Sequence, residues 1–216
     1  MKPPTPGMLR GRAARGTLEV EHLLAAARAP SPALAAVLRE LAVEHDWRFA
    51  PCLPDIPFAS WGEVVVLYCD GGHAALSNAL NEEAKRAFVV SLLVELGDEA
   101  ALAALLTAAD ALVEQGSEPQ AFADDIAHAI NRFGMLGLGQ AAAAADSARL
   151  FLEAFLQHAV SDAQLGLAMC GLRYFGDEGS LSLVRSARTL SPSWETARTA
   201  AVRGILKRLR ESAGAI

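Results

Sequence analysis

Apolar residues recur along this chain at helical intervals. Phe122, Ile126, Ile130 and Phe133 share one face of a 3.6-residue turn, as do Leu165, Ala168/Met169, Leu172 and Phe175. Val202, Ile205, Leu206 and Leu209 repeat the arrangement near the C-terminus. Each segment therefore reads as an amphipathic helix with a single stripe to bury. The stretch "EVVVLYC" (Glu63–Cys69) is β-branched enough for a strand, but Trp61, Val64, Val65 and Tyr68 fall at i, i+3, i+4 and i+7 and favour a helix. The pattern predicts helices over 17–28, 32–45, 61–69, 82–96, 99–114, 119–133, 146–158, 161–175, 178–189 and 193–211.

Boundary residues subdivide the pattern. Ser31-Pro32, Glu118-Pro119 and Ser191-Pro192 each set a cap before a proline suited to a first helical position. Ser60-x-x-Glu63 and Ser161-x-x-Gln164 have the form of capping boxes. Asn81, followed by Glu82 and Glu83, reads as a cap with negative charge at the positive end of a helix dipole. Residues 46–60, "DWRFAPCLPDIPFAS", with three prolines, are expected to form an irregular insert.

One phrase occurs twice: "LVELGDEAALAALL" from Leu93 and "LRYFGDEGSLSLVR" from Leu172. Related helix ends close at Gly97, Gly134 and Gly176, separated by 37 and 42 residues. A glycine there can take the left-handed conformation that ends a helix. A period near 40 residues marks a stack of helix pairs, each burying its stripe on the next.

In "FGDEGSLSLVRSARTLSPSWETARTAAVRGILKRL" the chain resembles the HEAT-repeat family. Gly176-Asp177 opens a first helix there, and Ala197-Arg198-x-x-Ala201-x-x-Gly204-Ile205 fills a second. The resemblance spans about residues 82–211 and departs at "ALVEQGSEPQ", where the turn is longer and no arginine matches Arg198. It implies an all-α fold: a short right-handed α-solenoid of about four to five antiparallel helical pairs. Residues 1–16 read as a flexible basic tail and 17–216 as a single helical-repeat domain.

Composition sharpens this picture. Hydrophobic residues make up 52% but aromatics only 6%, so alanine and leucine dominate and helices can approach closely. No uninterrupted apolar run is long enough for a membrane span. Cys52, Cys69 and Cys170 are odd in number and lack C-x-x-C spacing, which favours reduced thiols and a cytoplasmic location. Residues 16–184 carry 23 acidic against 8 basic groups, whereas 185–210 hold seven Lys/Arg and Glu195 alone. An acidic body disfavours nucleic acid and suits a basic partner protein.

No catalytic or cofactor motif stands out. His22, His45-Asp46 and Asp124 or Asp125 have the residue types with which HD-type phosphohydrolases hold metal, but the pair falls where a helix gives way to the insert. "GMLGLGQ" (Gly134–Gln140) follows a helix and lacks the Lys and Ser/Thr of a phosphate loop. Arg198, Arg203, Lys207, Arg208 and Arg210 offer a basic last helix that could touch DNA, although such cations also suit a helix C-terminus. Asp124, Asp125, His128 and Arg132 line one polar helix face. The resemblance places that helix second in its pair, on the concave side of such arrays. The reading is a non-enzymatic protein-interaction module with an acidic face of Glu82, Glu83, Arg86, Asp124, Asp125, His128 and Arg132. An inhibitor of a basic toxin is its particular version; a metal-dependent phosphohydrolase and a DNA-binding array are the alternatives.

Overall fold

The computed structural model describes residues 4–45, 58–115, 120–188 and 191–213. It is all-helical, with eleven helices and no strand among the described residues, and the chain divides into two compact units, Met1–Leu96 and Gly97–Ile216.

The first unit holds α1 (Pro6–Ala14), α2 (Val20–Ala27), α3 (Pro32–His45), α4 (Phe58–Ala79) and α5 (Arg86–Leu96). The expected basic tail contains a helix instead. Thr5 Oγ1 accepts the Met8 N–H at 3.2 Å, Pro6 opens the helix, and Leu9 and Ala13, one turn apart, are buried. Arg10 pairs with Glu40 of α3, on which α1 packs. Glu63–Cys69 is helical, and Trp61, Val64, Val65 and Tyr68 are its buried stripe. This helix starts at Phe58, so Ser60 lies inside it rather than capping it. It runs past the expected end to Ala79 through a kink at Gly72 (φ 59°, ψ −151°), a conformation reserved for glycine. The helix expected from residue 82 begins at Arg86. Residues before it form turns in which Lys85 and Arg86 N–H groups donate to the Glu82 carbonyl at 2.9 and 3.1 Å. Within this unit α2 packs on α4 and α4 on α5.

The second unit holds α6 (Glu99–Gln115), α7 (Gln120–Met135), α8 (Ala142–His158), α9 (Asp162–Phe175), α10 (Glu178–Ser186) and α11 (Pro192–Ala213). α6 packs on α7, α8 on α9 and α10 on α11, and helices also meet the next but one: α6 on α8, α7 on α9 and α9 on α11. The repeated Gly-Asp phrase is the joint at which α5 hands over to α6 and α9 to α10. Its aspartate is the constant part. Asp98 Oδ1 accepts the Ala101 N–H at 2.8 Å, and Asp177 Oδ1 accepts the Ser180 N–H at 2.9 Å. Its glycine serves two purposes. Gly97 is left-handed (φ 61°), as expected of a helix stop. Gly176 is extended (φ −66°, ψ 153°) and is needed for space, because a Cβ would lie 2.8 Å from the Leu172 carbonyl oxygen. Gly134 is no stop at all; it lies within α7, where a Cβ would strike the Tyr174 ring. The Glu118-Pro119 cap and Cys52 lie outside the described residues.

A polar cluster ties α8 to the start of α10. Arg149 reaches Asp146 at 3.4 Å, Glu153 at 3.2 Å and Asp177 at 3.4 Å, and the fully buried Ser180 hydroxyl donates to Glu153. Burial raises the Asp177 carboxyl, but the Ser180 N–H and the Arg149 charge outweigh it and hold the group below its ordinary 3.8. A depressed carboxylate adds stability that is present above its unfolded value and lost as pH falls through its folded value. Asp177→Asn keeps the cap but drops the charge. It is expected to cost about 0.5 kcal/mol near pH 7, the scale of a half-exposed ion pair. In urea titrations that gap between the two proteins should close below pH 3.8; a gap constant with pH would contradict the assignment.

Candidate functional site

α7 separates its two faces cleanly. Phe122, Ile126, Ile130 and Phe133 are buried, whereas Asp125, His128 and Arg132 are exposed. Asp124 lies between these faces, half-buried, and meets a residue the hydrophobic pattern did not single out. Gln164 Nε2 donates to Asp124 Oδ1 at 3.0 Å and to Oδ2 at 3.4 Å.

Gln164 is buried and fixed at its other end. Its Oε1 accepts the N–H groups of Val160 at 3.0 Å and Ser161 at 3.3 Å, while its own N–H donates to Ser161 Oγ at 3.2 Å. The predicted capping box at the start of α9 is therefore present, and one of its side chains also orients a carboxylate on α7. The start of α11 is tied to the start of α9 in turn. Asp162 Oδ2 accepts the Ser191 N–H at 2.9 Å and Asp162 Oδ1 meets Arg188 at 3.0 Å. The Ser191 N–H, with Arg188 assisting, holds the Asp162 carboxyl below its ordinary range. This joint seats Trp194 over Gly166, where a Cβ would come within 2.2 Å of the indole ring.

Between these elements lies a groove of about 270 Å³ lined by Asp124, His128, Asn131, Gln164, Cys170 and Trp194, with Ser161, Ala163 and Leu167 completing it. Asp125 stands beside it on α7 and makes no ion pair among the described residues. Its carboxyl is held above the ordinary value by partial burial, against the opposing pull of His128 and with the help of the neighbouring Asp124 charge.

The predicted face thus resolves into one group in each unit. In the second unit, Asp124 and His128 line the groove and Asp125 and Arg132 share the exposed side of α7. In the first, Glu82 is engaged by Lys85 at 2.5 Å, and Arg86 Nε donates to the Leu80 carbonyl at 2.9 Å, so Arg86 holds the turn before α5. Glu83 is exposed.

Other candidates have structural employment. His22 is buried, and its Nδ1 accepts the Glu19 backbone N–H at 3.1 Å, so it helps to start α2. His45 closes α3, and Asp46 lies outside the described residues; among the described residues no three His, Cys, Asp or Glu side chains are grouped so that they could hold a metal ion. The Gly139 N–H donates to Glu99 Oε1 at 3.1 Å, filling with a carboxylate the position that a phosphate would need. Burial pushes the Cys69 thiol up to about 11 and raises Cys170 likewise, so both stay protonated at neutral pH. In the basic last helix, Arg208 donates to the Gly176 carbonyl and Arg198 to the Ala187 carbonyl at 3.2 Å. These two arginines answer the last carbonyls of the preceding helices. Arg203, Lys207 and Arg210 remain exposed, with Lys207 3.7 Å from Glu211.

No protein family, characterised protein or solved structure matches this chain.

Proposed function

We propose that this chain is a non-enzymatic helical-repeat protein that binds a basic partner protein through the acidic side of α7. The supporting observation is the pair of adjacent carboxylates there. Asp124 is held in place by buried Gln164, while Asp125 is exposed, makes no ion pair among the described residues and is disfavoured as an anion by its own surroundings. Elsewhere the exposed carboxylates of Glu40, Asp70 and Glu95 are matched by arginines. An exposed carboxylate such as Asp125, with no ion pair among the described residues, is one that a partner's charge can complete.

The plan proposed for the fold is a short HEAT-like α-solenoid. Packing of α1 on α3 and α2 on α4 in the first unit, and of α6 on α8, α7 on α9 and α9 on α11 in the second, supports it, as does the repeated Gly-Asp joint. No helix among the described residues is long and apolar enough to cross a membrane. An inhibitor of a basic toxin, such as a nuclease, is the particular form of this reading that the acidic charge favours.

The decisive experiment isolates the partner by affinity capture at moderate salt and measures its affinity by calorimetry. The double variant Asp124→Lys/Asp125→Lys places cations where the partner is expected to bring its own. Affinity is expected to fall by more than about tenfold, with the salt dependence reduced. An affinity unchanged within error would remove α7 from the interface.

A further inference from the structure

We infer that Met135 and Leu136, at the end of α7, are the apolar anchor of the interface, inserted into a hydrophobic pocket of a basic partner protein. The inference rests on the partner-binding reading and specifies what the partner must offer.

The large hydrophobic side chains exposed among the described residues are Met135 (57%), Leu136 (48%), Leu150 (52%) and Val160 (79%). Single exposures of this kind are ordinary and ask for no explanation. Met135 and Leu136 differ in being adjacent and in the face they share. Asp125, His128, Arg132, Met135 and Leu136 fall at i, i+3, i+7, i+10 and i+11, one face of a helix, and all five are exposed. The Leu136 N–H still donates to the Arg132 carbonyl at 3.2 Å, so the helical register reaches it. The apolar pair therefore continues the polar face already assigned to the partner. Apolar side chains with a charged margin are the make-up of a binding patch, and methionine is enriched in such patches.

Helix termination does not account for the pair. The Leu138 N–H donates to the Phe133 carbonyl and the Gly137 N–H to the Gly134 carbonyl, both at 3.1 Å, with Gly137 left-handed (φ 75°). This is a Schellman ending, whose apolar contact falls on the residue after the left-handed glycine. That residue is Leu138, and it is half-buried. Nothing in this ending asks Met135 or Leu136 to be apolar.

The turn beyond them is anchored. The Gly139 N–H donates to Glu99 Oε1 at 3.1 Å, and a Cβ on buried Gly139 would lie 2.8 Å from the Leu102 side chain and 3.0 Å from the Phe175 ring. α6 and α9 thus fix the turn beside the pair, and little ordering is required when a partner binds.

Charge selects the occupant. The pair lies within residues 16–184, with 23 acidic against 8 basic groups, and a second copy of the chain would bring a further net charge of −6. An anionic lipid surface would meet the same repulsion. A basic protein meets attraction, with Asp125 on the face that carries Met135 and Leu136.

The test locates the contact and then measures it. Benzoylphenylalanine, a photo-cross-linker, is placed at position 136 or, as control, at position 150 of the full-length protein, which is irradiated in native cell extract. One basic protein is expected to be joined at position 136 and not at 150. Calorimetry with that protein, purified, should show affinity at least about tenfold lower for Met135→Ser/Leu136→Ser, because apolar area is lost from the contact. Salt dependence should be unchanged, and Leu150→Ser/Val160→Ser should bind as wild type does. All four side chains are exposed, so both variants should stay folded by circular dichroism. No adduct at 136, the same adducts at both positions, an adduct with lipid or a second copy, or an affinity unmoved by Met135→Ser/Leu136→Ser would each overturn the anchor. The two proposals fail separately. If Asp124→Lys/Asp125→Lys loses the partner and Met135→Ser/Leu136→Ser does not, the anchor is wrong and the acidic interface stands. If only Met135→Ser/Leu136→Ser loses it, the anchor stands and the acidic side of α7 is not the interface.

Discussion

Phe133→Ala is expected to destabilise the protein by about 3–5 kcal/mol, the range for truncating a buried aromatic ring. Phe133 has no exposed surface and is among the largest fully buried side chains of the chain. It closes the α7 stripe that begins at Phe122, so its loss opens a cavity beneath the helix carrying Asp124. Against a total stability of about 5–15 kcal/mol the effect is a large fraction. Urea unfolding followed by circular dichroism should show a lower midpoint. Arg132→Ala, one residue away on the exposed side, should change stability by no more than about 0.5 kcal/mol. A loss below about 1 kcal/mol for Phe133→Ala would mean that α7 does not bury this face.

That contrast rests on a feature legible in the sequence. Hydrophobic spacing identifies the buried stripes of α7 and α9 and resolves Glu63–Cys69 in favour of helix, because a 3.6-residue period is imposed by the backbone itself. Capping residues were legible for the same local reason at Ser161 and at Ser31, whose Oγ accepts the Leu34 N–H at 3.3 Å. Features decided by distant contacts were not. Helix α1 offers only Leu9 and Ala13 to its neighbours, too little to stand out among Pro, Gly and Arg. The carboxylates of Glu82 and Glu83 look like helix-starting charge, yet Arg86 turns back to the Leu80 carbonyl and the helix begins after them.

The candidate site divides in the same way. The polar face of α7 follows from i,i+4 spacing. Its groove does not, since Gln164 and Trp194 arrive from other helices and each has a local explanation as cap or packing residue. One signal was present. Asp124 and Gln164 are 40 residues apart, within the range of the spacing between successive glycine-ended helices. In stacked pairs, residues one period apart occupy equivalent positions on adjacent helices, so a repeat length is also a contact prediction.

Gly204→Ala is expected to cost about 3 kcal/mol, the upper part of the range for overpacking. This chain has glycine because α9 passes too close: a Cβ on Gly204 would lie 2.6 Å from Arg173 Cγ and 2.7 Å from the Arg173 carbonyl oxygen. A side-chain end could move aside, but a carbonyl within a helix cannot without displacing the helix. Alanine normally favours a helix over glycine by about 1 kcal/mol, so the sign of this substitution separates contact from propensity. Gly7→Ala supplies the control, since Gly7 lies in α1 with nothing within 4 Å of its added Cβ. It should be neutral or stabilising by up to about 1 kcal/mol. Because α9 carries Gln164 and α11 carries Trp194, spreading these two helices should also loosen the groove. A variant as stable as wild type would show that α9 and α11 do not meet at backbone distance, and the groove would lose one of its walls.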